Sequence, residues 1–246
     1  MTLNEMTSGS GNNLFYFAII ATLAGHFTYH FVSQAQQVRE WLSARYADSR
    51  FWVRWIFFQK SVGFLFMGFL PAIFYMLFYD GHITDFGLTY NHIITNWHFL
   101  LGLPALMVFI SFFAARSKKQ QEIYPQMRIK RWTKMQFFVN AVGWIIYLMA
   151  YEYLFRGLFL FAGVDLFGIW PAIFINVAVY SAVHMHKGIA ETLGAVPFGI
   201  VACWLTLTTG TFLVSAFAHI GMAVSMEFFA IKFNKEMQFV KSGRQK

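Results

Sequence analysis

The chain has 246 residues, of which 58% are hydrophobic, 20% aromatic and only 12% charged. A soluble domain carries about 25% charged residues, so this composition excludes a single water-soluble globule, and its hydrophobicity also excludes a disordered chain. The one cysteine, Cys203, excludes a disulfide framework and a cysteine-based metal cluster. We therefore predict an all-α, polytopic membrane helix bundle. We attribute the net charge of +8 to membrane topology, with no nucleic-acid partner.

Seven segments are apolar and long enough to cross a bilayer, which requires roughly 20 residues. In chain order they are Leu14–Val32, Ser61–Tyr79, Trp97–Ala115, Gln136–Phe161, Leu166–Val183, Ile189–Leu207 and Thr211–Ala230. They divide the chain into three parts. Residues 1–60 hold the first span and a segment, 34–54, that reads either as an amphipathic interfacial helix or as a solvated loop; residues 61–231 form the membrane core, and residues 232–246 form a basic tail.

The positions of the basic residues predict the orientation of these spans. Of the 19 lysines and arginines, 18 lie in segments 34–60 and 116–134, at Lys187 and in the tail. With seven spans, all of these regions fall on one side, and the opposite loops carry no basic residue. The positive-inside rule then places the N-terminus outside and the C-terminus inside.

A few polar residues within the spans are candidates for function, because ionisable groups in a membrane are costly and usually functional. Glu152 and Arg156 lie four residues apart on one helix face and can pair. His184 ends the fifth span, Glu191 follows it, and His219 lies within the seventh. Two histidines and a carboxylate on neighbouring spans can hold a divalent metal or activate a water. Alternatively, each is satisfied separately within the bundle.

Other ionisable residues carry weaker hypotheses. His26 and His30 share one face of the first span, a spacing that a metal site or a haem-adjacent site would use. Asp165 and Glu227 lie near span ends, where we expect interfacial exposure.

Five segments together resemble the CPBP family, the CAAX proteases and bacteriocin-processing enzymes that are also called the Abi family. The segment Tyr-Glu-Tyr-Leu-Phe-Arg-Gly at 151–157 resembles the first family motif, Glu-Glu-x-x-x-Arg. The segments at 180–184 and 217–219 resemble the second and third motifs, each of which ends in a histidine, and those at 83–88 and 209–211 resemble family loops. The resemblance covers about residues 80 to 230 in the family's order.

The resemblance implies an intramembrane peptidase, metal-assisted or glutamate-dependent, that cleaves membrane-bound or lipidated peptides. It assigns catalysis to Glu152, His184 and His219, which are also the ligands expected for a divalent metal such as zinc. Glu191 is a candidate to replace a missing carboxylate, and Arg156 is expected to be structural and to pair with Glu152. The expected partners are the lipid bilayer and a membrane-bound peptide or protein substrate, and the expected location is a bacterial inner (plasma) membrane.

Two departures from the family pattern support a different hypothesis. Tyr151 stands where the first motif has its first glutamate, and Ala223 stands where the third motif usually has an asparagine. Losing both residues would ordinarily disable the enzyme, so the alternative is a catalytically inactive membrane scaffold or a subunit that binds a membrane protein partner. A third hypothesis, from the histidine content, is a protein that binds haem or a metal.

The depths of the candidate residues impose a further condition. Glu152 lies about 16 residues into its span, or roughly 24 Å at 1.5 Å per residue, whereas His184 is expected near the inner surface. The two can meet only if the fourth helix begins as an interfacial stretch or is strongly tilted.

Overall fold

The structure, a computed structural model, describes residues 10–90 and 95–241, so the predictions for residues 1–9, 91–94 and 242–246 lie outside it. It is 81% helical, which confirms the predicted all-α bundle. The helices are α1 (Ser10–Val32), α2 (Gln36–Arg45), α3 (Asp48–Phe64), α4 (Leu70–Tyr79), α5 (Trp97–Ala114), α6 (Lys118–Ile123), α7 (Lys134–Glu152), α8 (Leu160–Phe167), α9 (Ile169–Ala182), α10 (Ile189–Thr209) and α11 (Leu213–Phe233). Two short strands, β1 (Arg131–Trp132) and β2 (Gln238–Phe239), pair in parallel.

Two helices are longer than the spans that the sequence predicts, and each contains a π-helical turn within its predicted span. The turn Leu65–Phe69 joins α3 to α4 into one helix from Asp48 to Tyr79, and the turn Tyr153–Phe159 joins α7 to α8. The predicted amphipathic segment at 34–54 forms two helices, α2 and the beginning of α3. Two extended residues, Tyr46 and Ala47, separate the two helices.

Six helices of the described chain are long and apolar enough to cross a membrane, in agreement with six of the seven predicted spans. The predicted fifth span forms α9, which has 14 residues and a length of about 21 Å. This is shorter than the ~30 Å hydrocarbon core of a bilayer. His184 follows α9, so it is expected to lie farther from the inner surface than it would at the end of a full-length span.

The helix formed by α7 and α8 is the centre of the bundle. In its most apolar window, 78% of the residues are buried, against 11% for α5 at the periphery. The helices α3 and α11 pack directly on α7. With 34 residues, this helix is about 51 Å long, so it must tilt or extend beyond the hydrocarbon layer. Glu152 therefore lies at the middle of the most buried helix.

Two of the segments that carry the family resemblance contact each other and the central helix. The Gly87 carbonyl accepts hydrogen bonds from Thr211 Oγ1 at 2.9 Å and from the Phe212 amide at 3.2 Å. A Cβ added at Gly157 would lie 2.9 Å from the Phe86 carbonyl oxygen, so only glycine lets this loop approach the π-helical turn so closely. These contacts fix the turn that carries Arg156 against the start of α11.

Candidate active site

A buried carboxylate–imidazole pair is the centre of the candidate site. Glu152, the last residue of α7, is fully buried, and His219 lies in the second turn of α11. His219 Nδ1 is 2.7 Å from Glu152 Oε1. An ionised carboxylate can only accept hydrogen bonds, so Nδ1 carries the proton and Nε2 remains an acceptor. The pair therefore has the arrangement of an oriented general base.

Arg156 lies one turn after Glu152 and shares its burial. Its Nε is 3.5 Å from Glu152 Oε2, and both side chains have zero exposure. The guanidinium also lies 3.8 Å from the centre of the Tyr180 ring. Gly199 of α10 packs closely beside this site, since an added Cβ would lie 3.2 Å from Val177 Cγ2 and 3.3 Å from Tyr180 Cδ1. The contacts are those expected of a residue that neutralises and positions Glu152.

His184 reaches the same region from the end of α9. Its Nδ1 donates a hydrogen bond to the Tyr180 carbonyl oxygen at 2.8 Å, and the two rings pack with centroids 4.6 Å apart. Burial, followed by the nearby Lys187 charge, holds the pKa of His184 well below its usual value. The ring is therefore neutral at physiological pH, with Nε2 as an acceptor.

Tyr151 lies between the two histidines. Its ring centroid is 6.4 Å from that of His184 and 5.8 Å from that of His219, with both contacts edge-on. The three side chains line a cavity of about 90 Å³, which is room for roughly three waters. Among the residues that the structure describes, the buried Tyr151 hydroxyl has no hydrogen-bond partner. A residue with an unpartnered, buried hydroxyl thus lines this cavity at the position where the family motif has a glutamate.

Basic side chains also line the cavity, and the sequence does not predict that they meet there. The prediction that Lys60 lies in a loop is wrong, because Lys60 is 3% exposed within α3 and its Nζ is 3.0 Å from the Trp144 ring centre. His26 lines the cavity from α1, and Lys187 and His186 line it from the turn after α9. The sequence carries a signal for this burial, since the segments 55–58 and 62–67 on either side of Gln59, Lys60 and Ser61 are apolar and favour one continuous helix.

Glu227, which we expected at an exposed span end, is fully buried, so this prediction is also wrong. Its carboxylate accepts hydrogen bonds from the Gln126 amide and from Asn140 Nδ2, both at 3.0 Å, and from Trp144 Nε1 at 3.3 Å. These donors come from the loop before β1 and from α7. These hydrogen bonds make the burial of the carboxylate tolerable. Asp165 is exposed, as predicted.

Glu191 lies apart from the Glu152–His219 pair. Gly188, with φ at +98°, separates α9 from α10, so the continuous helix that would align Glu191 with His184 does not form. Glu191 Oε2 is instead 3.6 Å from Lys187 Nζ. Glu191 also lies near Tyr124, whose pKa is raised first by burial and then by this carboxylate. A catalytic role for Glu191 has no support in this arrangement.

The donor set does not fit a three-ligand metal centre as it is arranged. Both Glu152 oxygens face protein partners, which leaves one Nε2 on each of His184 and His219. Within residues 10–90 and 95–241, no group of three or more histidine, cysteine or acidic residues could hold a metal ion. His26 and His30 are therefore not part of such a group either. A catalytic zinc site normally has three protein ligands. Zinc bound by Glu152, His184 and His219 remains a prediction.

Comparison with known proteins supports the family resemblance. Residues 133–225 match the family model described as Rce1-like, type II CAAX prenyl endopeptidase Rce1-like. This match confirms the resemblance to the CPBP family. The matched region contains Glu152, Arg156, His184 and His219, whereas Lys60 and Glu227 lie outside it. No curated protein and no solved structure matches the chain.

Proposed function

We propose that the protein is an intramembrane peptidase that hydrolyses a membrane-bound or lipidated peptide with a water activated by the Glu152–His219 pair. The family match supports an intramembrane peptidase of the CAAX protease type. The observation that carries the finer proposal is the 2.7 Å contact between His219 Nδ1 and Glu152 Oε1 beside the cavity. A carboxylate in this position fixes the tautomer of a base histidine and stabilises the imidazolium that forms.

In the proposed reaction, the two hydrogens of one water point to His219 Nε2 and His184 Nε2. His219 removes one proton while the water oxygen attacks the carbonyl carbon of the scissile amide. The developing oxyanion accepts a hydrogen bond from the Tyr151 hydroxyl. His219 then returns the proton to the amide nitrogen, the carbon–nitrogen bond breaks, and a carboxylic acid and an amine leave.

Arg156 contributes indirectly in this scheme. Its positive charge keeps Glu152 ionised and holds Oε2, so that Oε1 remains directed at His219. The catalytic residues are therefore His219, His184 and Tyr151, and Glu152 and Arg156 are positioning residues.

The test is cleavage of a farnesylated reporter peptide ending in Cys-aliphatic-aliphatic-X by the purified full chain in lipid vesicles, with products identified by mass. We expect His219→Gln to lower kcat by about 10²–10⁴-fold, the usual contribution of a general base. Tyr151→Phe should lower kcat by about 10²–10³-fold, as does the loss of an oxyanion donor. The control is His98→Gln, an exposed histidine at the start of α5.

Stability measurements separate chemistry from structure in this test. The Tyr151 hydroxyl has no partner among the described residues, so Tyr151→Phe should leave Tm unchanged or raise it. A Tyr151→Phe variant with normal kcat removes the oxyanion role. If the wild type cleaves no reporter, the membrane-scaffold hypothesis replaces the proposal, because Tyr151 and Ala223 then mark a lost activity. Inhibition by a zinc chelator, reversed by added zinc, would favour the metal-assisted reaction.

A further inference from the structure

A large apolar groove lies away from the candidate active site, between the start of α7 and the end of α11. Its volume is about 1110 Å³, slightly above the ~300–1,000 Å³ typical of small-molecule pockets. Phe137 of α7, Phe228 of α11 and Phe239 of β2 form its floor, with ring centroids 5.7 to 5.9 Å apart in each pair. Three separate elements thus contribute one aromatic surface.

The groove is held in shape by hydrogen bonds. The amides of Gln238 and Val240 donate to the carbonyls of Lys130 and Trp132, at 2.9 and 2.8 Å. This pairing fastens the segment after α11 to the segment before α7, so Phe239 is fixed against the two helices. One side of the groove is therefore built on backbone hydrogen bonds of the described chain.

Three lysines border this apolar floor. Lys134, Lys232 and Lys241 line the groove, and all three are exposed. Lys232 Nζ lies 5.7 and 5.5 Å from the ring centres of Phe228 and Phe239, directly over the floor. Within the described residues, the groove lining contains no acidic side chain, and none of these lysines forms an ion pair, whereas Lys130 nearby pairs with Glu236 at 3.8 Å.

We propose that this groove binds an anionic phospholipid, with the acyl chains on the aromatic floor and the phosphate among the three lysines. An apolar surface bordered by unpaired cations matches a molecule that has an apolar body and an anionic head. Basic pockets between membrane helices bind anionic headgroups on the basic side of a membrane protein. The predicted topology places all three lysines on that side.

The experiment is a titration of the full chain in detergent with phosphatidylglycerol or with phosphatidylcholine, followed by native mass spectrometry. We expect the first phosphatidylglycerol to bind at least about fivefold more tightly than phosphatidylcholine, the preference that one lysine near an anionic group supplies. The variant K134Q/K232Q/K241Q should bind the two lipids equally. The matched control K118Q/K119Q/K235Q removes three exposed lysines outside the groove and should retain the preference.

Three results would overturn the proposal. The first is equal binding of the two lipids by the wild type, and the second is an equal loss of preference in both triple variants. Displacement of bound phosphatidylglycerol by an uncharged farnesylated peptide would also overturn it, because the groove would then hold the lipid of a substrate. The measurement does not depend on cleavage, so it stands or falls independently of the proposed peptidase activity.

Discussion

Burying the Glu152 carboxylate removes a charge from water, and its two partners determine whether the fold tolerates this. Arg156 supplies the compensating charge at 3.5 Å, and His219 supplies a hydrogen bond at 2.7 Å. Replacing both members of a buried ion pair can leave the stability unchanged, whereas removing one member leaves the other as an uncompensated buried charge. The cost of a substitution here therefore depends on which member of the pair remains.

Arg156→Ala should destabilise the protein by about 3–5 kcal/mol, because it leaves the Glu152 carboxylate buried without its cation. The double variant Arg156→Met with Glu152→Gln should recover part of this loss, since no charge then remains buried. Thermal unfolding in detergent measures both. If Arg156→Ala melts like the wild type, the ion pair is not what stabilises Glu152.

His184 predicts how stability changes with pH. Burial lowers its folded-state pKa, while the unfolded chain titrates near the ordinary value of 6.5. Below that pH the unfolded state binds a proton that the folded state does not, so this contribution is complete above about pH 6.5 and is lost as the pH falls. The slope is about 1.4 kcal/mol per pH unit for one proton.

We therefore expect Tm to fall between pH 7 and pH 5, and His184→Asn to reduce this dependence. His186, whose pKa is also lowered by burial, adds to the same trend. His98→Asn, at an exposed position, is the control and should leave the slope unchanged. An identical slope in His184→Asn and the wild type would show that His184 does not remain neutral on folding.

At the scale of the elements, Gly157 is the point where the central helix packs against the loop before α5. Gly157→Ala places a methyl group 2.9 Å from a backbone oxygen, which can move only with its segment. We expect a loss of about 1–3 kcal/mol, typical of overpacking. Gly194→Ala is the matched control: nothing lies within 4 Å of its added Cβ, and alanine should stabilise this helical position by about 0.5–1 kcal/mol.

The sequence predicts the helices better than it predicts which polar residues meet. Apolar length alone locates the six long helices, and the family motifs select Glu152, His184 and His219. Lys60 and Glu227 were missed because their burial depends on tertiary partners: the Trp144 ring supports Lys60 and its indole N–H supports Glu227. Hydropathy records neither contact. The separation of Glu191 depends on a single glycine conformation at Gly188.

At the scale of the whole molecule, the charge distribution predicts a sidedness that labelling can test. Tyr90 is 71% exposed in the loop before α5, and Lys119 is exposed on α6 after it. We expect Tyr90→Cys and Lys119→Cys, each on a Cys203→Ala background, to react with a membrane-impermeant thiol reagent from opposite sides of the membrane. Labelling of both from one side would contradict the topology.

The central claim is that the buried pair of Glu152 and His219 serves catalysis, and the most direct measurement compares Glu152→Gln with Glu227→Gln. Both residues are fully buried glutamates, but only Glu152 contacts a histidine of the cavity. In the farnesylated-reporter assay, Glu152→Gln should lower kcat by about 10²–10⁴-fold, because a glutamine amide hydrogen-bonded to His219 no longer fixes the tautomer in which Nε2 is the base. Glu227→Gln should retain kcat within about tenfold, corresponding to less than ~1.4 kcal/mol. Wild-type turnover by Glu152→Gln, or an equal loss in both variants, would contradict the account.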